Sequence, residues 1–153
     1  MTDLKDTHWY IAGPMSGVPQ YNIPLFDFTR DLLTHRGYTI TSPADLDSQE
    51  VRELGLANET GWYNVDEKGN HRIGEGETAE SWGDFLARDV KLIADSDIFG
   101  IILLPNWEKS RGARLEAFVG LLQGEKFRYA TFNPETTELR EVPQAYIKRL
   151  VAR

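Results

Sequence analysis

The 153-residue chain contains no cysteine, which removes a disulfide framework, a thiol nucleophile and a cysteine-based zinc site together. No apolar run approaches the ~20 residues needed to cross a bilayer, so no membrane role is expected. The opening residues MTDLKDTHWY lack the apolar core of a signal peptide, and the cytoplasm is the expected location. Three signatures are also missing: G-x-G-x-x-G, G-x-x-x-x-G-K-[ST] and G-x-S-x-G. A dinucleotide fingerprint, a Walker A loop and an ordinary hydrolase elbow are thereby set aside. His8, His35 and His71 have no metal-ligand spacing, and neither a metal nor an organic cofactor is expected. Basic charge is scarce: 17 Lys and Arg against 24 Asp and Glu leave a net charge of −7. That balance argues against a protein that coats a nucleic-acid polymer.

What is present is ordinary globular composition, 41% apolar and 27% charged, at a length suited to one domain over residues 1–153. The charge is uneven. Residues 45–97 hold fourteen acids and five bases, a balance of −9, while the remainder holds ten acids and twelve bases, or +2. The protein reads as a near-neutral body with one acidic segment.

Strand-like and helix-like segments alternate. His8 to Ala12 is a short β-rich run ending at Gly13-Pro14. Asn22 is placed to cap a helix with Pro24 in its first turn and Gly37 at its end. Tyr38 to Thr41 forms a second strand, and Ser81 to Ala94 a helix with apolar residues at helical spacing. The run Ile98 to Pro105 is apolar throughout, as a parallel strand buried on both faces requires. Arg111 to Gln123 reads as a helix closed by Gly124, Lys126 to Phe132 as a strand, and the residues after Pro143 as a last helix. Between Ala44 and Ser81 only a short helix at Gln49 to Leu56 is legible; glycines interrupt the rest. Residues 47–80 are therefore expected to be a lid or insertion. The fold class is α/β: three layers with a mainly parallel sheet of four or five strands and a long insertion after the second.

In such sheets the ligand crevice lies at the carboxyl ends of the strands. The loops Gly13–Gly17, Ser42–Asp45 and Asn106–Ser110 leave those ends. Gly13, Ser16, Gly17, Asp45 and Ser110 from these loops, with Gly112 at the start of the helix after the third, are candidate substrate contacts. Ser110 can cap the following helix, and the exposed N–H groups and dipole there suit an anion. Glu116 lies within about 60° of Ala113 and Gly120 around that helix and roughly opposite Arg114. A carboxylate on a close-packing face is costly unless paired or functional, so Glu116 is either a structural ion-pair partner or a reacting group. Asp89 repeats the pattern beside Phe85, Leu86, Val90 and Ile93. Trp62, Tyr63, Trp82 and Trp107 either pack in the core or lid or stack on a base.

With these residues in place, the chain resembles the nucleoside 2-deoxyribosyltransferase superfamily, in its small branch that begins Y-I-A-G-P-M-[ST]-G. The resemblance rests on Tyr10-Ile-Ala-Gly-Pro-Met-Ser-Gly17, Ser42-Pro-Ala-Asp-Leu46, Trp82-Gly-Asp-Phe-Leu-Ala-Arg-Asp89 and Asp97-Ile98. It continues through Leu103-Leu-Pro-Asn-Trp107 and Ser110-Arg-Gly-Ala-Arg-Leu-Glu116. It implies a flavodoxin-like fold and cleavage of the N-glycosidic bond of a 2′-deoxynucleoside or its 5′-monophosphate, with transfer to water or to another base. It implies that Glu116 attacks C1′, that Asp89 is the second carboxylate and that Tyr10 holds the nucleophile. Six residues before the nucleophile, transferases for free nucleosides carry Asp and the 5′-monophosphate N-hydrolases carry Ser. Ser110 here favours the phosphate, although Pro14 and Ser16 depart from the first-loop Ser and Arg of those hydrolases. The resemblance also implies a homo-oligomer, with Tyr129 or Asn133 as candidates to complete a neighbour's site. Two other readings compete: a nucleotide sensor of the same fold without turnover, and a protein that binds a basic partner through its acidic segment.

Overall fold

The computed structural model describes residues 6–62, 64–65, 71–73, 80–95, 97–132 and 137–152. In chain order the elements are β1 (His8–Ala12), α1 (Ile23–His35), β2 (Thr39–Thr41), α2 (Gln49–Leu56), β3 (Asn64–Val65), β4 (His71–Ile73) and β5 (Glu80–Ser81). They continue with α3 (Trp82–Asp95), β6 (Gly100–Leu103), α4 (Arg111–Leu122), β7 (Lys126–Phe132), β8 (Thr137–Val142) and α5 (Gln144–Val151).

Five strands build the main sheet in the order β2-β1-β6-β7-β8. The first four run parallel, with Tyr10 opposite Ile101 and Ile101 opposite Phe127, and β8 closes the edge antiparallel to β7. This is the flavodoxin-like order, in which the chain reverses direction of growth beside its first strand. The strand period of two divides the core cleanly. Trp9 and Ile11 face α1, where Phe26 and Leu33 cover them. Tyr10 and Ala12 face the opposite layer, with Ile93 of α3, Ala113 and Ala117 of α4 and Ile147 of α5. Helices on both faces explain why Gly100 to Leu103 is buried at every position and reads as unbroken apolar sequence.

The sequence expectations meet three differences. Asn22 does not cap α1: its φ is 61°, and its Nδ2 donates to the Pro14 carbonyl at 2.9 Å instead. Gln20, Tyr21 and Asn22 all take left-handed backbone, which turns the chain before the helix and leaves the Asn22 side chain aimed at the first loop. The edge strand β8 was not foreseen, because its charged sequence TELREV matches an exposed edge and carries little apolar signal. Inside the insertion, α2 is present as expected, but β3, β4 and β5 also pair as a small antiparallel sheet. Tyr63 and Asn133 lie outside the described residues, as does the Trp82 side chain. Among the described residues, no helix is long and apolar enough to cross a membrane.

Candidate active site

The cavity of interest, about 210 Å³, opens at the carboxyl ends of β1 and β6. There the strands on either side of β1 connect in opposite directions and leave a crevice. The loop after β1 contributes Gly13, Met15 and Ser16 to its lining, and the turn into α4 contributes Lys109, Ser110, Arg111 and Gly112. Phe85, Leu86, Arg88 and Asp89 contribute from α3, while Asp47, Val51, Gly55 and Trp62 reach in from the insertion.

Glu116 lies in this cavity, 5% exposed, on the α4 face that also buries Ala113, Ala117 and Gly120. Helical spacing puts it there, since 113, 116, 117 and 120 form one stripe. Beneath it stands Tyr10, fully buried on β1, whose hydroxyl donates to Glu116 Oε2. Asp89 approaches from α3 and is 8% exposed. The guanidinium of Arg88 orders this side of the site. Its Nε donates to Asp89 at 3.0 Å, its Nη1 to Asp47 at 2.8 Å and its Nη2 to the Pro43 carbonyl at 3.3 Å. One cation thus ties α3 to the start of the insertion.

Burial sets the protonation of the group. It pushes Glu116 well above the usual carboxylate range, and the neighbouring Asp89 charge adds to that, while the Tyr10 hydrogen bond and Arg88 oppose it. Asp89 is raised by burial to about 6, with Arg88 the main restraint. The Tyr10 phenol is held well above its normal value, chiefly by burial and then by Glu116 and Asp89, so it stays a donor. Each carboxyl makes the other harder to ionise, so Glu116 and Asp89 titrate as a pair and not as independent acids. The arrangement sets a carboxyl that burial strongly keeps protonated beside one that ionises more readily, and such a split suits the acid and base roles that glycosidic chemistry uses.

Ser110 caps α4, its Oγ accepting from the Ala113 N–H at 3.2 Å. The first-turn N–H groups of such a helix have no intrahelical partner and point out of its end. Among the described residues, the Ser16 hydroxyl and the Lys109 ammonium make no hydrogen bond or ion pair, so both are available to a ligand.

Most of the expected site residues converge. Gly13, Ser16, Asp89, Ser110, Gly112 and Glu116 line the cavity, and Tyr10 supports it from below. Gly17 stands just behind the lining: its φ is +82°, and a Cβ there would meet the Trp62 ring at 2.6 Å. Asp45 is elsewhere. Its carboxylate is taken by Arg30 of α1, and Asp47, two residues later, enters the cavity instead. Trp107 is buried in the core, and Tyr129 packs on the layer beneath α4 and α5 rather than in the cavity. Sequence reasoning missed Arg88 and Asp47. Their pairing spans 41 residues, and no local pattern announces it. Among the described residues, no group of three or more His, Asp or Glu is placed to hold a metal ion.

Fold and cavity together define a flavodoxin-like α/β protein with a buried carboxylate pair at its topological switch point. The chain belongs to the DUF4406 family, a domain of unknown function, whose model matches residues 7–129. That range contains the whole carboxylate site, from Tyr10 to Glu116. No curated protein and no solved structure matches the chain.

Proposed function

We propose that the protein cleaves the N-glycosidic bond of a 2′-deoxynucleoside or its 5′-monophosphate through a covalent deoxyribosyl-Glu116 intermediate. The observation that carries this reading is the buried Glu116, held by the Tyr10 hydroxyl and facing Asp89 across a nucleoside-sized cavity. The resemblance to the nucleoside 2-deoxyribosyltransferases supports it residue by residue.

In this mechanism the base packs against Phe85 and Leu86, with Trp62 at the mouth. The sugar lies over Glu116. A 5′-phosphate meets the N-terminus of α4, where Ser110, Arg111 and Lys109 gather. The proton that burial favours on Glu116 passes to Asp89 as the sugar enters; ionised Glu116 then attacks C1′ as the C1′–N bond breaks, and Asp89 gives that proton to the departing base. Positive charge developing at C1′ stabilises the carboxylate that burial had disfavoured. The absence of a 2′-hydroxyl eases that charge development, which is why deoxyribose is the expected sugar. Water or a second base then attacks C1′ from the opposite face, releasing Glu116 with net retention. The product pair distinguishes hydrolysis from base exchange.

Incubation with the four common deoxynucleosides and their 5′-monophosphates, followed by chromatography for free base, tests the proposal. Release of base from at least one of them, lost in Glu116→Ala, is the expected result. If no substrate loses its base, or if Glu116→Ala cleaves as well as the parent, the assignment is wrong. Tight nucleotide binding without any release identifies a sensor instead.

A further inference from the structure

A second open cavity, about 330 Å³, adjoins the first and shares Ser16, Lys109 and Ser110 with it. These three residues form the wall between the two, where the proposed mechanism puts a 5′-phosphate. The far side has a different chemistry. Val18 and Leu25 supply apolar surface, and Asn22 and Asn106 supply amides. Among the described residues, no acid lines it and Lys109 is its one cation. Asn22 spends its Nδ2 on the Pro14 carbonyl, leaving its Oδ1 to accept.

We infer that the second cavity binds a nucleoside-sized group esterified to the substrate's 5′-phosphate, so that the preferred ligand is a dinucleotide rather than a mononucleotide. The inference rests on the proposed function for the location of the phosphate. Size and charge choose the occupant. A cavity of about 330 Å³ leaves room for a sugar and a base. A further phosphate would need more cations than the one Lys109 already engaged at the wall. An uncharged ring or sugar instead finds apolar contact from Val18 and Leu25 and hydrogen-bond partners in the two amides. The bond cleaved is unchanged: the base leaves at Glu116, and the second nucleoside stays on the phosphate.

The test uses the full chain carrying Glu116→Gln, so that ligands bind without turnover, and isothermal titration calorimetry. For each of the four bases, three ligands are compared: the deoxynucleoside 5′-monophosphate, its methyl ester, and the thymidylyl-(3′→5′)-deoxynucleoside. The methyl ester has the same charge as the dinucleotide and lacks only the second nucleoside. The dinucleotide is expected to bind about tenfold more tightly than the methyl ester, a gain of about 1.4 kcal/mol. Leu25→Trp, which fills the second cavity, should erase that factor and leave methyl-ester affinity unchanged. Val18→Trp is the second filling variant, should Leu25→Trp disturb the core. Equal affinity of dinucleotide and methyl ester overturns the inference while leaving the glycosidase reading intact. Failure of every nucleotide to bind, with no base released by the parent, overturns both.

Discussion

Two glutamates belong to the unit formed by α4 and the turn behind it, Glu116 at mid-helix and Glu125 past its end, and both are 5% exposed. Glu116 faces the cavity with Tyr10, Asp89 and Arg88 around it. Glu125 lies just before β7, at the amino ends of the strands and so at the far edge of the sheet from the cavity. Its backbone is well held, with N–H to the Gly120 carbonyl at 2.9 Å and its own carbonyl accepting from Gln144 at 2.8 Å. Its side chain is not: among the described residues, the buried Oε2 has no hydrogen-bond partner. It fits beneath α4 because residue 120 is glycine; a Cβ there would stand 2.7 Å from that oxygen. Burial alone raises Glu125 to about 7. Burial of a carboxyl therefore does not mark a site. A donor, a second carboxyl and a cavity beside it do.

The sharpest way to break the comparison is to neutralise each glutamate in turn. Glu116→Gln removes the proposed nucleophile and should lower base release by at least about 10³-fold. Glu125→Gln should leave kcat and KM within about twofold, because nothing in the cavity touches it. If the two variants lose activity equally, Glu116 acts only through the fold, and its assignment as nucleophile falls.

The same pair separates in stability, with the effects reversed. The folded-state pKa of Glu125 is raised, so the folded protein holds the proton more tightly than the unfolded chain. The unfolded chain ionises first, and stability falls as pH rises from about 4.5 through about 7. The full shift corresponds to roughly 3 kcal/mol. Glu125→Gln should therefore stabilise the protein by up to that amount at pH 8 and by almost nothing at pH 4.5. Urea denaturation at the two pH values measures it, and a gain independent of pH would refute the link to ionisation.

Which parts of this were legible in sequence follows from the range of the forces involved. The buried stripe of α4 is a local, periodic pattern, so Glu116 could be singled out from Ala113, Ala117 and Gly120 alone. Glu125 follows Gly124, where the helical period has ended, and nothing local reports its burial. The parallel sheet could be anticipated because β6 lies in an unbroken apolar run, which a doubly covered strand accommodates; the flavodoxin-like order came only with what the resemblance implies. The edge strand β8 has no such constraint. Asp47 and Arg88 are brought together by the path of the insertion, and Asn22 prefers a neighbouring carbonyl to the capping role its type suggests. Where a long-range partner competes with a local rule, the partner decides.

A smaller effect probes what sets Glu116 apart. Tyr10→Phe deletes one hydrogen bond to a carboxylate and keeps the ring that fills the core. Such bonds contribute about 1.5–3 kcal/mol, so kcat should fall about 10- to 100-fold with KM little changed. Because the Tyr10 hydroxyl favours the ionised form of Glu116, its removal should also move the acid limb of the pH–rate profile to higher pH. A lower rate with an unmoved limb would make Tyr10 a packing residue only.

The smallest effect belongs to the amino end of α4, where Ser110 has two separable roles. As a cap it satisfies the Ala113 N–H, and Ser110→Ala should cost about 1 kcal/mol of stability, seen as a melting temperature lower by about 2–4 °C. Ser110→Asp keeps a cap acceptor and adds an anion at the helix end, where the dipole favours it, so the melting temperature should hold. The same charge stands where the 5′-phosphate is proposed to bind. Ser110→Asp should then raise KM for deoxynucleoside monophosphates while sparing free deoxynucleosides. If both substrate classes respond alike to Ser110→Asp, the α4 terminus is a cap and not a phosphate contact. The functional contrast between the two glutamates would then rest on Glu116 and its neighbours alone.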